Sequence, residues 1–472
     1  MVQLRRFTAC SVGLLLGTYL SFKTLSQDAF IRGADFSAVG QVESHGGVYK
    51  ENGIPTDPFE ILSAHGVNFI RLRIWHTPAN GTHNLQETLT IARRISDAAM
   101  GFLLNIHYSD SWADPGQQTK PAAWQGLPFE VLKDSVYRYT SDVIVALRDQ
   151  NTLPGMVQIG NEIICGLLWD DGRVCDGFNT PQQWAQLGEL LNEGIRAVRE
   201  NTDPSDSVKI VIHIDRGGDN SGSRWFFDNL AGDVDEFDII GQSFYPWWHG
   251  TPADLEFNFN DLAFRYGKPL ILVEAAYPWT LAWYDQTHNI VGKPGQLLAG
   301  YPASVDGQTA YLTDIVTIVR NVPVGKGAGF FYWGTELIPA PQLGSVWENV
   351  TLFDFQGEVL TSIEAFEPVP SSVQTPDLRG DQFFLHQNFP NPFNPETTIR
   401  YSLGRAGDII LDVYSQLGVK VATLVNEWQP AGVHAVRWDG RNQNGIRVSS
   451  GVYYFRLVTD PERIQRSMVL LH

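Results

Sequence analysis

The sequence is poor in cysteine, in basic residues and in long apolar runs. Three Cys in 472 residues exclude a scaffold stapled by several disulfides and a Cys-rich zinc fold. Lys and Arg number 34 against 52 Asp and Glu, a net charge of −18, which repels a phosphate backbone and excludes nucleic acid as a partner. After the first 22 residues nothing approaches 18 consecutive apolar residues, so no permanent membrane span is expected. No Gly-x-Gly-x-x-Gly turn follows the first candidate strand, which removes the phosphate cradle of a dinucleotide fold.

What is present is a folded, aromatic-rich chain with 12% aromatic residues and 14 Trp. Trp packs cores and also offers flat apolar faces on which sugar rings stack. The N-terminus carries Arg5 and Arg6 ahead of an apolar run from Phe7 to Phe22, the pattern of a secretory signal peptide over residues 1–27. A lipid anchor at Cys10 is disfavoured, because the apolar run follows that Cys instead of preceding it. The two Cys then left, Cys165 and Cys175, are expected to form a disulfide in an oxidising compartment, with free thiols as the alternative. Zinc there would have to draw on Asp170, Asp171 and Asp176 for its other ligands.

From residue 28 to 365, β-rich runs alternate with amphipathic helical stretches. Candidate strands are Ile31–Phe36, Phe69–Ile74, Phe102–Ile106, Met156–Ile159, Lys209–Ile214, Asp238–Ser243, Leu270–Val273 and Gly329–Tyr332. Helical periodicity marks Thr88–Ala99, Glu130–Arg148 and Pro181–Glu200. Eight strands with intervening helices over this length fit an α/β (β/α)8 TIM barrel, with a doubly wound open sheet as the alternative. Residues 366–380 read as a Pro/Ser-rich linker. Residues 381–472 alternate in polarity between turn signals and read as a small all-β immunoglobulin-like sandwich.

In such a barrel the polar residues that close each strand carry the chemistry. Here Glu162 follows strand four and Glu274 strand seven, accompanied by Asn161, Arg71, Arg73, His107, His213, Tyr245 and several Trp. One Glu at a helix start is commonplace. Two on opposed strands match the acid and nucleophile needed to break a glycosidic bond. Arg71 and Arg73 share one strand face, and either can fork onto the nucleophile carboxylate.

The ordered motifs Phe30-Ile-Arg-Gly-Ala-Asp35, Val67-Asn-Phe-Ile-Arg71-Leu-Arg73-Ile-Trp75, His107-Tyr-Ser-Asp110-Ser-Trp112, Gly160-Asn161-Glu162 and Val273-Glu274-Ala-Ala-Tyr277-Pro-Trp279 resemble those of the arabinogalactan endo-β-1,4-galactanases, glycoside hydrolase family 53. The resemblance implies a retaining endo-hydrolase of β-1,4-galactan in pectin side chains, with Glu162 as acid/base, Glu274 as nucleophile and no catalytic cofactor. It places Asp35, Arg71, Arg73, His107, Asp110, Trp112, Asn161, His213, Tyr245, Trp247 and Trp333 along the substrate. It also implies a structural calcium ion at Asp285, His288 and Asn289. The chain departs from the family at Trp333-Gly-Thr-Glu336, where many relatives have Trp-Glu-Pro; this bears on product length. A non-catalytic carbohydrate-binding protein or adhesin is the competing reading.

The C-terminal motifs Asn388–Pro395, Gly418–Val421, Trp438-Asp-Gly440 and Ser450-Gly-Val-Tyr453 resemble a type IX secretion sorting domain. That implies a secreted or surface-held protein that engages secretion machinery through its C-terminus; separately, the protein is expected to be a monomer. An ordinary immunoglobulin-like spacer or a carbohydrate-binding module is the alternative for this region.

Overall fold

The structure is a computed structural model, and it describes residues 30–367, 383–385, 388, 391 and 393–471. The expected signal peptide and nearly all of the expected linker lie outside the described residues. Eight parallel strands close into a barrel: β1 Ile31–Asp35, β2 Phe69–Ile74, β3 Gly101–Ile106, β4 Met156–Ile159, β5 Lys209–Ile214, β6 Ile239–Phe244, β7 Leu270–Ala275 and β8 Gly327–Tyr332. Strand β1 pairs with both β8 and β2, which completes the ring. The doubly wound alternative is thereby overturned, since an open sheet leaves its two edges unpaired.

A helix follows each of the first seven strands: α1 Pro58–Ala64, α2 Leu85–Asp97, α3 Phe129–Asp149, α4 Pro181–Asn201, α5 Asn220–Leu230, α6 Pro252–Tyr266 and α7 Val305–Arg320. A 3-10 turn at Thr361–Phe366 takes the eighth place. Capping defines several starts. Asp57, Asn84, Thr180, Asp219, Thr251 and Ser304 each accept a first-turn backbone N–H, and Pro stands in the first turn of α1, α4 and α6, where its missing N–H costs nothing.

Side-chain alternation layers the barrel interior. Phe69, Leu103, Met156, Val211, Ile271 and Phe331 belong to a small apolar cluster of its own. Two residues further along β2, β3, β4 and β5 the same faces carry Arg71, Asn105, Gln158 and His213, all at most 1% exposed. The lumen thus turns from apolar to polar toward the C-terminal ends of the strands. There the β6–β7 pairing slips between Gln242 and Ser243, and the β7–β8 pairing between Leu272 and Ala275. Strict alternation from the buried Val273 would turn Glu274 away from the lumen. Such irregularities re-aim side chains next to active sites, and here Glu274 meets Arg71.

The C-terminal unit is a two-sheet sandwich. Strands β9 Thr397–Leu403 and β12 Gly432–Trp438 pair in one sheet with the short strand Phe384–Leu385. Strands β11 Lys420–Gln429, β10 Gly407–Ser415, β13 Gly451–Val458 and β14 Arg463–Leu470 form the other. Their inner faces share one apolar core that includes Ile399, Leu411, Trp438 and Phe455. Arg400 of β9 reaches Asp261 on α6 at 2.8 Å, beside Arg224, whose Nε donates to the same carboxylate at 2.6 Å.

Candidate active site

Glu162 follows β4 in left-handed backbone, φ 48° and ψ 50°, a conformation that costs a non-glycine residue on the order of 1 kcal/mol. Its neighbourhood supports the turn: Gly160 also has positive φ, and the disulfide between Cys165 and Cys175, Cα atoms 4.9 Å apart, closes the loop that follows. The expected pairing of these two Cys is therefore present.

A carboxylate oxygen of Glu162, one of Glu274 and a ring nitrogen of His213 lie within 4.8 Å of one another. That separation suits a nucleophile and an acid/base flanking one bond; inverting pairs stand about 6.5–9.5 Å apart to admit water. Glu274 is clamped from two sides. Arg71 Nη1 is 2.8 Å from its Oε1, and the Tyr245 hydroxyl donates to its Oε2 at 2.8 Å. Arg71 is fully buried and also holds Asp35 Oδ2 at 3.0 Å and the Asn161 side-chain Oδ1 at 2.8 Å. Burial raises the Glu274 carboxyl while Arg71 and Tyr245 pull it back down. Glu162 is raised well above the carboxylate range by burial, by the charge of Glu274 and by Asp215. The two environments therefore separate the pair, with the proton resting on Glu162.

His213 is a correction to its expected place along the substrate. It is fully buried, and as the last residue but one of β5 it forms part of the floor. Its Nδ1 accepts from Gln158 Nε2 at 3.0 Å and from the Glu162 backbone N–H at 3.3 Å, so the ring proton sits on Nε2 and points to Ser243 Oγ at 2.8 Å. Burial and Arg71 hold the ring neutral. Ser243 in turn hydrogen-bonds the Glu162 side chain. With both nitrogens engaged, His213 is a brace and not a metal ligand.

Two further expectations change. Asp110 accepts the backbone N–H of Thr77 and of Ala122, each at 2.8 Å, and so ties two loops together. Trp247 and Trp248 share a one-turn helix, Pro246–His249, in which consecutive side chains point about 100° apart. Trp248, 57% exposed, lines the cleft, and Trp247 packs instead beside Tyr245 and Trp347. His107, Trp112, Asn161, Tyr245 and Trp333 line the cleft, and Asp215, Arg216, His249 and Trp347 join them around a volume of about 520 Å³. Asp35 and Arg73 face an adjoining hollow. Asp215 and Arg216 directly follow β5, at the strand end where the rule that selects Glu162 also selects Asp215.

In the loop after β7, the His288 ring packs on Trp283 at 4.4 Å between centroids, and Asp285 Oδ1 accepts the Thr287 N–H at 2.5 Å. Buried oxygens of Asn289, Glu348 and Asn349 have no hydrogen-bond partner there.

The family model of glycosyl hydrolase family 53 matches residues 31–366. The chain belongs to this family. A second model, of the FlgD Ig-like domain, matches residues 396–461. The chain is 48% identical over 350 residues to a Niallia circulans protein described as "Uncharacterized protein in bgaB 5'region", covering 73% of this chain and 95% of that one. It is 33% identical to the arabinogalactan endo-β-1,4-galactanase of Thermothelomyces thermophilus, over 72% of this chain and 99% of that one. The solved family 53 catalytic domain of Ignisphaera aggregans superposes with a TM-score of 0.67 at 37% identity, covering 73% of this chain and 97% of that one. The protein is a family 53 glycoside hydrolase with a TIM barrel followed by an immunoglobulin-like sandwich.

Proposed function

We propose that the protein is a retaining endo-hydrolase of β-1,4-galactosidic bonds in galactan and type I arabinogalactan, with Glu274 as nucleophile and Glu162 as acid/base. The carrying observation is the close pair of carboxyls with Arg71 and Tyr245 bound to one member only. The name of the Thermothelomyces relative supports the substrate class. In the first step Glu274 attacks the anomeric carbon, the glycosidic bond breaks, and the Glu162 proton goes to the leaving oxygen. Formation of the ester removes the charge on Glu274. Glu162, now ionised, takes a proton from water, which displaces Glu274 and restores the starting state. Tyr245 and Arg71 hold Glu274 at the attacking angle. Ser243, braced by His213, fixes the Glu162 carboxyl.

The direct test is a panel of β-1,4-galactan, arabinogalactan, β-1,4-mannan, xylan and cellulose with product sizing. Internal cleavage of the first two is expected, and release of reducing ends from another polymer but not from galactan would refute the reading.

Calcium is part of the same proposal. The unpartnered oxygens of Asn289, Glu348 and Asn349, near Asp285 and His288, form the hard, oxygen-rich donor set that this ion takes; calcium bound there would tie the loop after β7 to the segment after β8. A strong chelator should lower the melting temperature by several degrees, and an unchanged value would remove the ion from the account.

We also propose export through the leader at 1–27 and sorting through the sandwich, with the catalytic unit acting as a monomer. A chain ending at residue 367 should keep galactan hydrolysis and remain cell-associated; normal release into the medium would count against a sorting role.

A further inference from the structure

The side chains that hold the two carboxyls meet on one residue, Gln158 of β4, which is fully buried. Its Oε1 accepts from Arg71 Nη2 at 3.3 Å. Its Nε2 lies 2.6 Å from Asn105 Oδ1, 2.9 Å from the Gly160 carbonyl and 3.0 Å from His213 Nδ1. Arg71 can only donate and a backbone carbonyl can only accept, so these neighbours settle which way the amide points. Gln158 thus touches the clamp of the nucleophile at one end and the brace of the acid/base at the other.

The hydrogens of that brace run in one direction. The Glu162 backbone N–H and the Gln158 amide both donate to His213 Nδ1, and a neutral imidazole then carries its hydrogen on Nε2. That hydrogen goes to Ser243 Oγ, 2.8 Å away. Having accepted from the ring, Ser243 turns its own hydrogen to the Glu162 carboxyl, with which it is hydrogen-bonded. The slip in the β6–β7 pairing sets Ser243 opposite Glu274, which brings this hydroxyl up to the pair of carboxyls. Hydrogen bonds to a charged acceptor are roughly twice as strong as those to a neutral one, so a hydroxyl aimed this way favours Glu162 as a carboxylate. Glu162 is a carboxylate in the second step, when it draws a proton from water.

We infer that Gln158 and Ser243 are positioning residues of the second step: through His213 they aim a hydroxyl hydrogen at Glu162 and support its carboxylate while water displaces Glu274. The inference rests on the retaining galactanase reading. In that step the water oxygen bonds to the anomeric carbon, its proton passes to Glu162, and the ester bond to Glu274 breaks. The other groups that act on Glu162 are Glu274 from β7, Asp215 after β5, Arg71 from β2 and Tyr245 after β6. Changes at Ser243 and Gln158 leave all four in place.

The polarity of the relay is read in the wild-type enzyme by NMR of the His213 ring nitrogens, where the Nε2–H tautomer is expected and Nδ1–H would overturn the relay. Its use in the reaction is read with dinitrophenyl β-1,4-galactobioside, whose leaving group needs no proton, so that kcat reports breakdown of the glycosyl-enzyme. In Ser243→Ala, kcat and KM should both fall about tenfold, the scale of one hydrogen bond to a charged group, with kcat/KM held. The acid limb of kcat should move to higher pH. Azide needs no base: it should form its C–N bond as the ester bond to Glu274 breaks, raise kcat toward the wild-type value and give the β-azide. Gln158→Met, which donates nothing to the ring, should show the same pattern in weaker form, because the Glu162 N–H still reaches Nδ1. A fall in kcat/KM at constant KM, a kcat that azide does not raise, or an unchanged kcat in Ser243→Ala would overturn the relay. The galactanase reading would stand in each case, since the wild-type enzyme decides it on the polymer panel.

Discussion

Replacing Glu274 by Ala is expected to lower galactan turnover by on the order of a millionfold, the scale on which loss of a covalent nucleophile is felt, with folding retained. Glu274 is buried, but its carboxyl serves only Arg71 and Tyr245, and Arg71 keeps Asp35 as a counter-charge. The vacated space beside the anomeric carbon is the size of a small anion. Azide should therefore restore part of the cleavage and give the α-azide of inverted configuration, read by NMR. Wild-type turnover in this variant would end the assignment.

The second large effect separates the two carboxyls by substrate. Glu162→Ala should lose roughly 10²- to 10⁴-fold on galactan, the usual contribution of a general acid, yet keep its first step on dinitrophenyl galactobioside, whose leaving group needs no proton. The pH profiles should differ with it. Burial and the Glu274 charge raise Glu162 well above its ordinary value, so wild-type activity falls on the alkaline side as Glu162 gives up its proton. On the acid side it falls as Glu274 is protonated. The alanine variant should lose the alkaline limb and keep the acid one. Equal loss on natural and activated substrates, with both limbs intact, would contradict the assignment.

The strand-end rule reached far in this chain because a barrel is a periodic object. Phe69–Ile74, Met156–Ile159 and Lys209–Ile214 have the bounds expected from the sequence, since each is an apolar run between turns. The same rule found Glu162, and the alternation on β2 put Arg71 and Arg73 on one face. Depth was less legible. His213 and Arg71 both point inward, but only three-dimensional closure shows that His213 lies under the floor and meets Ser243. The irregularity that turns Glu274 inward depends on pairing with β6 and β8, which no local pattern records. Trp248 takes the cleft place expected of Trp247, because consecutive side chains of the single helical turn Pro246–His249 diverge by about 100°. Strands β11 and β14 of the sandwich lack a clean apolar alternation. In β14 the inward positions include Arg466, whose Nε is spent on the Leu385 carbonyl, so the alternation of apolar residues is broken by a charge with a buried partner.

The crowd of carboxyls around the barrel mouth has a thermodynamic consequence as well as a chemical one. Burial drives Glu336 up to about 8 and Asp215 up to about 6, and raises Glu162 and Glu274 too, whereas in the unfolded chain all four titrate near 4. The buried rings of His83, His107, His213 and His249 work the other way: burial lowers them, so below about 6.5 they shed protons on folding and oppose the proton uptake of the carboxyls. Above that range the imidazoles are neutral in both states and the raised carboxyls decide the sign, so the native state holds more protons than the unfolded one and stability falls as pH rises toward 8. Calorimetry near neutral pH in buffers of different ionisation enthalpy would read the captured protons directly.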